Sequence, residues 1–422
     1  MSMLLVLVIA ILVSTGMGTA LLGSIKMALA RKLKIDEARI GGLLAVFGFT
    51  LIPTMLAAGF LSDKFGRQPV TIGGSLLFAA SLVLLAQARA YWMVLLAILT
   101  LSAGWAALIN VVNPLSQPAF GGSQAFAINL GCFIFGIGSF VTPLGVAFLV
   151  RRLELRGTLS LLSISGLVMA ALACAAEFPP IAPPKPKEGV APAGAPAPKD
   201  AAKPAASPEA PKGGPATPPS APAIAREAVK QAPAPGLSTL LGSTVLWLLA
   251  LALFFYMPAE ATMATWATTY VTDKGLKEGS AALLLSAFWL AYTASRLVAA
   301  LTMPTGAEAI VIYALSIVSL AVWVGVLLCR GRRLAVVLVM AVGVVFGPLY
   351  PTLVAVLLAE FDAALQGRAM AIFFTLGGLG CTVIPMLIGA YARRRGVQRA
   401  FLLAVVSVAA LCFVALMLMR RA

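Results

Sequence analysis

Long apolar runs alternate along the chain with short breaks rich in charge, glycine or proline. A run of about 20 apolar residues is what one helical crossing of a bilayer requires. Such runs fall at 3–25, 40–61, 70–88, 91–114, 125–150 and 157–176. They resume at 239–272, 279–303, 308–329, 334–359, 367–391 and 398–419. A membrane-spanning barrel would instead show weakly alternating segments of about ten residues. The pattern predicts an all-α membrane protein with twelve transmembrane helices. The first run continues past the length of a signal peptide and lacks a basic leader, so it is expected to be a retained helix.

Composition agrees. Of 422 residues, 61% are apolar and 11% charged, with a mean hydropathy of +0.99; a soluble domain carries about a quarter charged residues. Histidine is absent, which excludes His-based acid/base chemistry and most zinc and haem sites. Cys132, Cys174, Cys329, Cys381 and Cys412 lie far apart in or beside apolar runs, and no CxxC pair occurs. No metal site and no cofactor is expected, and the cysteines read as apolar filler. No GxxxxGK[ST] loop is present, so the chain holds no ATP-driven motor of its own. An enzyme is not expected either, because no nucleophile–base set stands out.

Between Pro179 and Pro235, 17 of the 27 prolines are mixed with Ala, Lys and Glu. So dense a proline content supports neither helix nor sheet. Residues 177–236 are therefore expected to be a disordered linker, spanning roughly 40 Å as a flexible coil. It separates bundle 1–176 from bundle 237–422, six runs each. Gly136, Gly138, Val141 and Pro143 match Gly378, Gly380, Val383 and Pro385 at an offset of 242. Leu43, Leu44 and Phe47 match Leu284, Leu285 and Phe288 at 241. The shared offset indicates two six-helix pseudo-repeats, an arrangement by which secondary transporters build a midplane site.

The most specific motif is Gly59-Phe-Leu61-Ser-Asp63-Lys64-Phe-Gly66-Arg67-Gln68, between runs two and three. It resembles the loop signature of the major facilitator superfamily. The resemblance implies twelve helices with the major facilitator fold and alternating access. It also implies a cytoplasmic gate in which Gly59, Asp63, Lys64, Gly66 and Arg67 face Glu360, Asp362 and Arg368 of the other half. Gln68 departs from the usual base, and the corresponding stretch after run eight, Met303-Pro304-Thr305-Gly306, lacks the acid and bases.

Run seven, with Tyr256-Met-Pro258-Ala259-Glu260, Trp266 and Tyr270, is similar to the fucose and glucose permease branch. So are Ser286-Ala-Phe288-Trp289 with Ser295-Arg296-Leu297, and Gly347-Pro348-Leu-Tyr350-Pro351-Thr352. The fucose permease itself carries acids in its first and fourth spans. Here the first span has no acid and the fourth offers only Asn110 and Asn113, so proton symport by that route is not implied.

Glu260 is the sole acid well inside a run. A charge there must be neutralised, paired or wetted. It is expected either to bind a solute or take a coupling proton, or to pair structurally with Arg296 or Lys26. Asn110, Asn113 and Asn129 are the only asparagines. Their amides suit a polar solute or helix–helix glue equally. Tyr256, Glu260, Met263, Ala267 and Tyr270 share one helical face. Trp266 and Trp289 are candidate stacking surfaces, although rings in such runs also serve packing and interface belts.

The net charge of +16 resides in short loops and the linker, so anchoring at headgroups rather than nucleic-acid binding is expected. With the signature motif and both termini in the cytoplasm of a bacterial-type inner membrane, 12 Lys/Arg lie inside and 17 outside. This runs against the usual positive-inside bias; the motif is the sharper marker. The reading is a monomeric secondary transporter in the lipid bilayer, moving a small polar, sugar-like solute, with protons as a candidate partner. A drug or metabolite exporter of the same superfamily is the alternative. A non-transporting receptor or scaffold signalling through the linker is the alternative from another class.

Overall fold

The computed structural model describes residues 2–33, 37–180 and 237–421. Among them all regular structure is helical: α1 (Met3–Leu33), α2 (Glu37–Phe65), α3 (Arg67–Gln87), α4 (Tyr91–Phe120), α5 (Gln124–Ala175), α6 (Leu237–Leu241) and α7 (Thr244–Thr272). There follow α8 (Glu278–Thr302), α9 (Glu308–Leu328), α10 (Arg332–Phe346), α11 (Leu349–Glu360), α12 (Gln366–Arg395) and α13 (Val397–Met419). Of the linker expected at 177–236, residues from 181 on lie outside the described residues.

The expected spans are present, with differences that have local causes. The spans at 125–150 and 157–176 form the single element α5, broken into two arms at Glu154 (φ 57, ψ 177). Counting α5 once leaves 11 helices long and apolar enough to cross a bilayer among the described residues. Its arms supply the twelfth crossing. The span at 334–359 is α10 and α11, parted at Gly347–Pro348, where proline has no N–H to continue the helical ladder. Charge ends an apolar run but not a helix: α1 continues to Leu33, and α2 carries Asp63 and Lys64 in its last turn. The signature motif is thus almost wholly helical. Only Gly66, at φ 91, turns the chain before Arg67 opens α3.

Two apolar cores form. One joins α1 to α5; the other joins α6 to α13 and also takes Ala125, Ile128 and Cys132 from the start of α5. The sequence offset reappears in space. Gly138 lies against the Val13 carbonyl, and Gly380 against that of Phe254; a β-carbon at either glycine would overlap the facing backbone. Between the halves, Gly136 meets Thr293 (α5 with α8), and its counterpart Gly378 meets Ile52 (α12 with α2).

The inter-half hydrogen bonds among the described residues lie on the side of these crossings toward the α2–α3 turn, and at that end the halves are closed on each other.

Candidate functional site

At the closed end α2 and α12 cross through two glycines. A β-carbon on Gly59 would run into the Gly367 carbonyl and the Ala371 methyl. This close approach brings Asp63 onto the first turn of α12. Its Oδ2 lies 2.7 Å from Arg368 Nε. The same carboxylate accepts from the backbone N–H groups of Gly367 (3.1 Å) and Arg368 (3.0 Å). A carboxylate at a helix N-terminus meets both free amides and the positive end of the helix dipole. Arg67, buried, donates to Gln366 Oε1 at 2.8 Å and to the Ala363 carbonyl at 3.3 Å. Gln366 in turn donates to the carbonyls of Leu358 and Phe361, tying α11 to α12.

Glu360 and Asp362 are exposed, and neither forms an ion pair among the described residues. Lys64 is exposed with its ammonium 5.2 Å from the Phe65 ring centroid. In this conformation this end is therefore held by one ion pair and an arginine–amide clasp rather than by a broad charge network.

Deeper in the protein, Arg296 is 6% exposed and faces no carboxylate directly. Its Nε donates to the Gly347 carbonyl (3.1 Å), Nη1 to the Cys132 carbonyl on α5 (3.2 Å) and Nη2 to Tyr292 Oη (2.7 Å). The Tyr292 and Tyr256 hydroxyls are 2.8 Å apart, and Tyr256 Oη donates to the Phe346 carbonyl at 3.2 Å. Glu260 is half-buried on α7, one turn after Tyr256. The direct Glu260–Arg296 pair envisaged from sequence is not formed; the guanidinium meets the Tyr292 hydroxyl instead. The Lys26 side chain lies outside the described residues.

The other sequence candidates divide. Trp289 joins the cluster, edge-on to Tyr292 at 5.3 Å between centroids, and is 36% exposed. Trp266 is half-buried beside Gly389 in the second core. The asparagines are 0–5% exposed. Asn113 and Asn129 donate to carbonyls of their own helix turns, and Asn110 donates across the halves to the Gly367 carbonyl at 3.1 Å. Asn110 thus joins the contacts that hold the closed end together. Tyr292 and Gln366 escaped the sequence reading. The available signal for Tyr292 was its position one turn before Arg296; Gln366 gave none.

A family model of the Major Facilitator Superfamily matches residues 7–385. The chain belongs to that superfamily. Bypass of stop codon protein 6 of Saccharomyces cerevisiae is 28% identical over 176 residues, 39% of this chain and 35% of that protein. Inner membrane transport protein YajR of Escherichia coli is 36% identical over 61 residues, 14% and 13% respectively. The chain thus spans about a third or less of the curated relatives it matches. Among solved structures, the superfamily transporter FucP in the outward conformation aligns with a TM-score of 0.75 at 15% identity, covering 98% of each chain. The proton:xylose symporter XylE aligns at 0.72 and 12%, covering 99% of this chain and 95% of that one. At these identities the likeness establishes the fold: a multi-pass, all-α major facilitator architecture.

Proposed function

We propose that this superfamily member carries a small polar, sugar-like solute across a bacterial-type inner membrane, coupled to protons through Glu260. The observation that carries the reading is Glu260 itself. It is half-buried in mid-α7, one turn after Tyr256, whose hydroxyl meets that of Tyr292, and Tyr292 accepts from Arg296, which bridges the halves. A group so placed can take a proton or a solute hydroxyl and act on the relation of the halves. Rocking about the Gly136–Thr293 and Gly378–Ile52 crossings would expose the site alternately to each side. FucP is described as a fucose:proton symporter and XylE as a proton:xylose symporter, which favours this solute class. The functional unit proposed is a monomer of two bundles, 1–176 and 237–422, with the 177–236 linker and both termini in the cytoplasm.

Uptake of a labelled sugar panel into proteoliposomes, with and without an inward proton gradient, tests the reading. Gradient-driven accumulation of one sugar is expected, with Glu260→Gln abolishing accumulation but sparing exchange. Failure of every sugar in folded, correctly oriented protein, together with efflux of apolar drugs, would favour an exporter. Deleting residues 185–230 should leave flux intact, whereas a scaffold signalling through that segment would lose its output.

A further inference from the structure

Two apolar grooves occupy equivalent places in the two halves. One, of about 300 Å³, runs between α2, α3 and α4; the other, of about 500 Å³, runs between α8, α9 and α10. Their walls correspond at the 241 offset of the repeat. Thr54, Ala58 and Leu61 of α2 answer to Ser295, Ala299 and Thr302 of α8. Val70 of α3 answers to Val311 of α9, and Ala103 of α4 to Val344 of α10. We propose that each groove holds one acyl chain of a membrane lipid, and that Lys64 makes the first groove selective for a phospholipid with an anionic headgroup. The proposal is independent of Glu260 and of the solute carried.

The chemistry of the walls selects hydrocarbon. Thr54 is the one polar side chain lining the first groove, and its hydroxyl donates to the Thr50 carbonyl one turn back at 2.6 Å. In the second groove Ser295 donates to the Tyr292 carbonyl at 2.9 Å and Thr302 to the Val298 carbonyl at 2.8 Å. Every wall hydroxyl thus has its hydrogen engaged within its own helix. A sugar buried there would leave its hydroxyls unpaired, whereas a hydrocarbon chain leaves nothing unpaired. The first groove also opens sideways: Leu61, Phe65 and Leu77 on its rim are 45%, 57% and 41% exposed. Because α3 packs against α4 and α5 of its own half, this rim faces the bilayer rather than the other half. A lipid chain lying in the groove gains contacts with three helices at once.

Charge separates the two grooves. The first ends at the α2–α3 turn, at the membrane surface, where Phe65 and Pro69 form its mouth. Lys64 is exposed at that mouth, its ammonium 5.2 Å from the Phe65 ring centroid, and it forms no ion pair among the described residues. The charged side chains beside it, Asp63 and Arg67, are engaged across the halves with Arg368 and Gln366. An ammonium on a flexible stem at the end of an apolar groove complements a lipid whose phosphate lies at headgroup level and whose chain runs down the groove. The second groove ends at Met303 and Pro304, in a turn that carries no base. It provides the chain site without the charge.

Native mass spectrometry of the detergent-purified full chain tests the proposal, with anionic dioleoylphosphatidylglycerol and zwitterionic dioleoylphosphatidylcholine as probes. The tightest binding of the anionic lipid should be about fivefold stronger than that of the zwitterionic one, the preference that one base at a membrane surface supplies. Lys64→Gln should make the two lipids equal, and Lys64→Arg should keep the preference. A β-carbon at Gly73, in the wall of the first groove, would meet nothing within 4 Å, so a larger side chain has room to fill the groove. Gly73→Leu should remove the preference, and adding Lys64→Gln to it should change nothing further. Ala294→Leu, in the wall of the second groove, should remove one weakly held lipid and leave the preference intact. A preference that persists in Lys64→Gln overturns the headgroup assignment, and one that persists in Gly73→Leu overturns the groove. A dimer that is lost in Gly73→Leu would give the first groove to a second copy of the chain and overturn the lipid as its occupant.

Discussion

Asp63 near the end of α2 and Arg368 at the start of α12 are separated by 305 residues in sequence and by 2.7 Å in space. The contact does more than neutralise charge. Asp63 also receives the backbone N–H groups of Gly367 and Arg368, so one carboxylate serves as ion-pair partner and helix cap at once. Opening this end would have to break three charge-assisted hydrogen bonds together.

Asp63→Asn should therefore destabilise the closed end by about 2 kcal/mol, roughly a 30-fold change in the gate equilibrium, since hydrogen bonds to charged groups contribute about 1.5–3 kcal/mol. The distance between spin labels at the exposed native Cys174 and at Thr305→Cys, one on each half at this end, should shift toward longer values. An unchanged distribution would show that the backbone amides alone suffice.

Gly59 and Gly66 are both in the motif, but for different reasons. A β-carbon at Gly59 has no room against the Gly367 carbonyl and the Ala371 methyl. Gly59→Ala should wedge α2 from α12 at a cost of about 1–3 kcal/mol and slow exchange at least about tenfold. Gly73→Ala, where a β-carbon would meet nothing within 4 Å, is the control and should keep wild-type exchange.

Around Gly66 there is open space, yet its backbone sits at φ 91 and ψ 166, a region in which only glycine is unstrained. Gly66→Ala should lower thermal stability by about 1–3 kcal/mol through backbone strain alone. Equal melting of the variant and the parent in detergent would contradict this.

Arg296→Lys keeps the charge and loses the fork. A single ammonium cannot reach the Gly347 and Cys132 carbonyls and Tyr292 with the same geometry, so buried acceptors are left unpaired. A loss of about 2–4 kcal/mol in stability is expected from one or two orphaned buried groups. Thermal unfolding of the purified protein measures it, and rescue by Lys to the wild-type value would reduce Arg296 to a point charge.

Orientation is open to direct labelling. Lys32, Arg89 and Arg156 gather at the end away from the motif, where burial and then the two neighbouring guanidiniums hold the Lys32 ammonium below its ordinary range. In a cysteine-free background, Arg394→Cys should react with a membrane-impermeant maleimide added outside intact cells. Arg421→Cys should react only after permeabilisation. The reverse pattern would place the motif outside.

How much of this was readable beforehand follows from physics. A bilayer demands about 20 apolar residues for each crossing and excludes unpaired charge, so the number of crossings, the isolation of Glu260 and the proline-rich stretch were determined by the sequence alone. The repeat was legible too, because the glycines that permit close helix crossings recur at one offset. The sequence could not show that Glu154 alone would separate two spans, that the motif would be helical up to Gly66, or that Asn110 would bond across the halves to the Gly367 carbonyl. Nor could it show that Tyr292, rather than Glu260, would meet the Arg296 guanidinium. Those outcomes depend on which faces of distant helices meet. Arg67 finds Gln366 at a separation of 299 residues through packing, not through any local preference. The bilayer's demand is written locally in every span, whereas the partners of a buried polar group are chosen only when the two halves close on each other.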